Sequence, residues 1–276
     1  MRTGPANHRK LLVFVVGSSA WFGCTSFSAE VAGPVEAGVG EADAGGDGAS
    51  GEASDGGPAA PLLLDTFTRM QATGWGTAEI GGAWRITGAA SVKDGVGRML
   101  PAAGKGVFAF ADSISASDID LQAVVTTSAV GTTDDAGAGI GSGLYISLSG
   151  RATADGSSAY SGSVIVQNGG AVGIGLTVRL GGVDTSLLRI NAGSTIIAGE
   201  ALRVRIQIEG TMPTRLRGKA WKASVSEPDG WPAEVQDGTP SLQQQPGRVF
   251  LTTYLSASSD VPVTATFDEL TVRQLP

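Results

Sequence analysis

The chain of 276 residues contains one histidine, His8, and one cysteine, Cys24, both close to its N-terminus. Beyond residue 24 there is neither an imidazole nor a thiol. That absence excludes a Ser-His-Asp triad, a Cys-His nucleophile pair and a His/Cys zinc site from the bulk of the chain. It also excludes an internal disulfide, so a folded domain there must be held by its core, and about 200 residues bury enough surface to do so. A basic excess is missing too. The formal net charge is −7, and after residue 61 there are 16 basic against 19 acidic side chains. Phosphate backbones are bound by clustered Lys and Arg, so nucleic acid is not an expected partner. The apolar run Leu11–Phe22 has only 12 residues, too few to cross a bilayer as a stable helix.

That run has the right length for something else. Preceded by Arg2, Arg9 and Lys10, it reads as the core of an export signal covering residues 1–23. It ends at Trp21-Phe22-Gly23-Cys24, and Gly followed by Cys is similar to the lipobox of bacterial lipoproteins, which implies lipidation at Cys24. Trp21 and Phe22 depart from the usual Leu and small residue of that pattern. The competing reading is ordinary cleavage after Ser26-Phe27-Ser28, where small residues stand at both required positions. Residues 24–61 follow as a Gly/Ala-rich tether with seven acids (Glu30, Glu36, Glu41, Asp43, Asp47, Glu52 and Asp55) and no Lys or Arg. With almost no large apolar side chain it cannot repay the entropy of folding, so a disordered spacer is expected. A spacer placed there favours the lipid anchor. The expected location is the outer membrane or cell surface through that lipid, and otherwise the periplasm or the medium.

The domain, residues 62–276, is rich in Gly (42 in the whole chain), Val, Ile, Thr and Ser and has no sustained helical period. Alternation with period 2 recurs instead. In Ala201–Glu209, Leu202, Val204, Ile206 and Ile208 alternate with Arg203, Arg205, Gln207 and Glu209. Similar runs occur at Leu144–Ser149, Tyr160–Gln167, Ile174–Leu180, Val249–Leu255 and Val263–Val272. Gly181-Gly182 between two runs is a two-residue hairpin signal. About 12 to 14 strands are expected, and that many antiparallel strands in one domain imply two stacked sheets, an all-β sandwich.

Three segments carry a resemblance: DTFTRMQATGWGTAEIGGAW (Asp65–Trp84), SDIDLQAVV (Ser117–Val125) and ATFDELTV (Ala265–Val272). In this order they resemble the laminin-G-like, concanavalin A-like jelly-roll modules of bacterial surface proteins and some phage tail proteins. The resemblance covers nearly all of residues 62–276. It implies neighbouring first and last strands, hence Asp65 near Asp268, and a binding or adhesive module, often for glycans, sometimes with bound Ca²⁺. Glycosidases of such folds carry Glu-x-Asp-x-x-Glu on one strand, and that pattern is missing here. Trp75 and Trp84, flanking a Gly-rich loop, are expected to be packing anchors.

Among candidate sites, the strongest is the hairpin over residues 201–222. A turn at Gly210–Pro213 would place Arg203, Arg205, Arg215, Arg217, Lys219 and Trp221 on one outward face, with Arg203 close enough to Trp221 for a cation–π contact. An aromatic plane among guanidinium groups suits an anionic polysaccharide, because Arg binds carboxylate or sulfate in a bidentate manner. The plain alternative is a solvated face in which Glu209 neutralises an Arg and Pro228 and Trp231 cover Trp221. Asp65 and Asp268, with Glu269, can supply oxygens to a structural calcium, or Asp65 can instead accept backbone N–H groups near the chain ends. No other cofactor is expected. Asp118 and Asp120 share a strand face as two carboxylates of a hydrolase or lyase would, yet read better as solvated edge acids. Asp134-Asp135 reads as part of a Gly-rich loop. The function expected from all this is a surface-tethered, non-catalytic module for extracellular carbohydrate or adhesion. The alternatives are a structural envelope protein that binds another protein, and a carboxylate-based hydrolase or lyase.

Overall fold

In the computed structural model, residues 60–131, 139–243 and 246–276 are described. The expectations for the export signal, Cys24, the tether and Asp134-Asp135 lie outside these residues. The described chain forms fifteen β-strands, with two short 3₁₀ turns and no α-helix. In chain order they are β1 (Leu63–Asp65), β2 (Trp84–Thr87), β3 (Ala90–Lys93), β4 (Val96–Met99), β5 (Gly106–Ala116), β6 (Ile119–Thr127) and β7 (Leu144–Ala152). There follow β8 (Ala159–Val166), β9 (Ala171–Leu180), β10 (Val183–Thr195), β11 (Leu202–Glu209), β12 (Thr214–Lys222), β13 (Ala233–Asp237), β14 (Gly247–Leu255) and β15 (Ala265–Gln274).

Two antiparallel sheets result. The first has the order β13-β12-β11-β6-β15-β4-β3, with β1 also on β15. The second has the order β10-β9-β8-β7-β14-β5-β2. β4 and β1 share one edge of β15 in turn, pairing its Ala265–Phe267 and Leu270–Val272 stretches. The first and last strands are therefore neighbours, as expected, with Asp65 opposite Leu270. The architecture is the two-sheet antiparallel sandwich expected of a concanavalin A-like jelly roll.

Period-2 alternation decides which side chains form the core. Leu202, Val204, Ile206 and Ile208 of β11 are buried, as are Leu144, Ile146 and Leu148 of β7 and Ile174, Leu176 and Val178 of β9. The intervening residues point to the outer faces. At two positions between the sheets there is no room for a side chain: a Cβ on Gly162 of β8 would lie 2.2 Å from Ile206 Cδ1, and one on Gly150 2.3 Å from Ile119 Cδ1. The β9–β10 hairpin turns on Gly181 and Gly182 at φ 57° and 82°. Positive φ at both central residues is the turn geometry that matches strand twist.

One end of the core is aromatic. Trp75 is fully buried and meets Phe67, Trp84 and Phe267 edge to face at centroid distances of 5.0, 5.2 and 5.4 Å. Beside it lies Asp65, also fully buried. Its Oδ1 accepts the Phe67 N–H (2.9 Å) and Arg69 Nη1 (2.7 Å), and its Oδ2 accepts Arg69 Nη2 (2.8 Å) and Trp84 Nε1 (2.7 Å). Trp75 and Trp84 are thus the packing anchors the sequence suggested.

Candidate functional site

The hairpin singled out in the sequence is present in the expected register. Arg203 faces Trp221, Arg205 faces Lys219 and Glu209 faces Arg215 across β11 and β12. It is not an open cationic platform: as in the plain alternative, Glu209 pairs with arginines of the face, and further acids join it. Arg203 pairs with Glu269 (2.8 Å) rather than stacking on Trp221. Arg205 Nε donates to Asp120 Oδ2 (2.8 Å), and Arg205 Nη1 to Glu227 Oε1 (2.7 Å). Lys219 reaches the same Glu227 oxygen at 2.7 Å. Arg215 and Arg217 both bind Glu209, and Arg215 also lies 3.9 Å from Glu234. Five cations thus meet five acids. Burial alone would raise the Glu227 pKa, but hydrogen bonds from Lys219 and Arg205 hold it below the ordinary range. Lys219 and Trp221 are both buried. The ring that gathers cations is Trp231, within 5.5, 5.1 and 4.7 Å of the Arg205, Arg217 and Lys219 charges.

The other candidates are engaged as well. Asp118 accepts Arg151 Nη2 (2.9 Å) and the Gly210 N–H (2.7 Å), while Asp120 is buried beneath Arg205 and Gln207. Each acid is an anchor for a different arginine, neither of them a solvated edge acid in the sense expected. Strand pairing sets Asp65 opposite Leu270, two residues from Asp268; burial raises the Asp268 pKa, and the charges of Glu269 and Asp65 add to the rise. But Asp65 commits both oxygens to protein donors and Glu269 binds Arg203. The carboxylate expected to face a cation faces Arg69. Among the described residues no group of three or more His, Cys, Asp or Glu is placed to hold a metal ion.

A site that the sequence reading missed lies on the outer face of the second sheet. Strand pairing places Thr252 beside Ser147 and Ser147 beside Ser163 in one row, with Ser149, Ser161 and Thr177 in the next. These six hydroxyl side chains line a groove of about 370 Å³. The serines are joined in pairs, Ser147 Oγ to Ser163 Oγ and Ser149 Oγ to Ser161 Oγ, each at 2.7 Å. A hydroxyl has one donor and two acceptor positions, so each pair retains one donor and three acceptor positions after its shared bond. Thr252 Oγ1 is buried and has no partner. Tyr145 and Tyr254, adjacent in the register, form an aromatic rim with ring centroids 6.0 Å apart. Tyr254 is the more exposed of the two, at 38%. Phe250 stands at the opposite end along β14, and Phe108 of β5 flanks Thr252. Among the described residues the charged groups lining the groove are Arg179 and Asp184, which bind each other through two bonds of 2.7 Å, and at the rim Arg189 stands 5.9 Å from the Tyr145 ring centroid.

The sequence signal for this groove was the double Ser-x-Ser, Ser147/Ser149 and Ser161/Ser163, on consecutive strands at period 2. Antiparallel pairing makes a four-hydroxyl patch of it.

The sequence matches no protein-family model and no curated protein. Solved structures with a similar chain path include the carbohydrate-binding module CBM66 from Bacillus subtilis, at a TM-score of 0.49 and 14% identity, covering 69% of this chain and 95% of that one. A β-glucanase of Bacillus licheniformis gives 0.49 at 9% identity, covering 79% and 99%. The carbohydrate recognition domain of Emp46p gives 0.47 at 7% identity, covering 68% and 87%.

Proposed function

We propose that the protein is a non-catalytic binding module for an uncharged extracellular carbohydrate, which it takes in the hydroxyl-floored groove of the second sheet. In this reading the chain is exported by the Leu11–Phe22 signal, held at the cell envelope through Cys24, and serves attachment to glycans. The observation that carries the proposal is the floor of paired serine hydroxyls beneath a tyrosine rim. Sugar hydroxyls both donate and accept, and so do the free positions of these pairs. The groove's volume is within the range of small-ligand sites, about 300–1,000 Å³, and an apolar lining with a few convergent polar groups is their usual composition. An uncharged ligand is favoured because the two ions of the groove wall, Arg179 and Asp184, neutralise each other, and the Arg189 guanidinium at the rim is directed at the Tyr145 ring. A non-catalytic role is favoured because glycoside hydrolysis uses two carboxyl groups flanking the scissile bond. Among the described residues the groove lining has one, and Arg179 holds it.

The test is a glycan array probed with the full chain, carrying neutral, carboxylated and sulfated saccharides. Neutral hits that weaken in a Ser147→Val variant are expected. A blank array, or hits confined to anionic glycans, would overturn the proposal.

A further inference from the structure

The groove does not end at Phe108. On the far side of that ring lies a second hollow of about 420 Å³, and Phe108 and Arg179 line both. Its floor is Phe110, whose ring stacks on that of Phe108 at 6.1 Å with 13° between the planes. Arg85 covers Phe110, with its guanidinium 4.0 Å from the ring centroid. That guanidinium is fixed by Asp112 (2.6 and 2.9 Å) and by the Ala154 carbonyl (2.9 Å). The outer wall is the turn between β7 and β8. It is tied to the β9–β10 turn by Gly182 N–H donating to Ser157 O (2.7 Å), and at Gly156 it comes so close that a Cβ would lie 2.8 Å from Phe110 Cε1. The charges around this hollow balance. Arg248 joins Arg85 on Asp112, Arg179 is on Asp184, and Asp155 supplies the third acid.

Two compartments of small-ligand size, joined across one aromatic side chain and with both lining arginines held by carboxylates, are shaped for a ligand of repeating uncharged units. We infer that the ligand is a neutral oligosaccharide of at least two contiguous units, one on the serine floor and the next against Phe108, Phe110 and Arg85. This rests on the carbohydrate reading of the groove given above. Arg85 and Phe108 then act as length-selecting residues, because a monosaccharide fills one compartment and leaves the other to water.

The experiment is calorimetric titration of the full chain with neutral ladders, from monomer to hexamer, built on glucose, xylose and galactose. The expected result is an affinity that rises about tenfold or more from the monomer to a short oligomer and then levels off. In an Arg85→Ala variant the ratio of oligomer to monomer affinity falls by about threefold or more. Equal affinity at every length, or a ratio unmoved by Arg85→Ala, would overturn the inference while leaving the groove as a carbohydrate site. Failure of every ladder to bind would overturn the groove reading and this inference with it. The ladder on the unaltered chain decides the matter even where the variant does not fold.

Discussion

Replacing Asp65 by asparagine keeps the shape of a buried carboxylate and removes its charge. Asp65 accepts four hydrogen bonds, two of them from Arg69. Asparagine retains one acceptor oxygen and turns an NH₂ group toward the remaining donors, so Arg69 Nη2 and Trp84 Nε1 lose their acceptor. A hydrogen bond involving a charged group is worth about 1.5–3 kcal/mol, and breaking a buried ion pair costs about 3–5 kcal/mol. The loss expected for Asp65→Asn is therefore about 3–5 kcal/mol. For a domain of this size each kcal/mol moves Tm by about 2–4 °C, so the midpoint falls by roughly 6–20 °C. Urea unfolding followed by tryptophan fluorescence measures it, since Trp84 bonds Asp65 and Trp75 packs on Trp84. Arg69→Met leaves the carboxylate without its cation, and the double variant should lose less than the sum of the two singles. A loss below about 1 kcal/mol for Asp65→Asn, the range of an exposed pair, would refute the view that this carboxylate fixes the aromatic end of the core.

Two further perturbations probe the packing and the charges. Gly162→Ala places a methyl group against Ile206 between the sheets and should cost about 1–3 kcal/mol by overpacking, read as a lower urea midpoint; an unchanged midpoint would mean that the sheets can separate freely there. The hydrogen bond from Arg85 holds the Asp112 carboxyl below its ordinary pKa, against the opposing effect of burial, with Arg248 adding to the lowering. A group depressed in the folded state contributes stability that is present above its unfolded pKa and lost as pH falls through the folded one. Asp112→Asn should therefore unfold at lower urea than the parent at neutral pH, with the gap closing below about pH 4; a gap that persists into acid would contradict the assignment.

Much of the fold was legible because its information is local. Alternation in Leu202–Glu209 fixes which side of β11 is buried, and Gly181-Gly182 fixes the β9–β10 turn. The register of the β11–β12 hairpin followed from one turn and two alternating runs. Within that hairpin Glu209 was legible as a partner for an arginine, but the other acids were not, because they come from elsewhere: Glu227 from the following loop, Glu269 from β15 and Asp120 from β6, with the Trp231 ring arriving from the same loop as Glu227. The groove was hidden for a related reason. Its two serine pairs come from consecutive strands, but Thr252 and Tyr254 reach them through β14, about a hundred residues later, and Phe108 arrives through β5. Each Ser-x-Ser shows that its two serines share a face of their own strand, but not which residues of other strands will stand beside them. Only the pairing order of the sheet turns them into a floor.

The claim that the second sheet, and not the arginine hairpin, holds the ligand is tested most directly by a paired comparison. The affinity of the full chain for a neutral oligosaccharide is measured alongside Tyr254→Ala at the groove rim and Trp231→Ala on the hairpin. Removing an aromatic anchor from a binding site costs about 2 kcal/mol or more, so Tyr254→Ala should weaken binding by about thirtyfold while Trp231→Ala leaves it unchanged. Binding that survives Tyr254→Ala and is lost with Trp231→Ala would contradict the assignment and return the site to the first sheet.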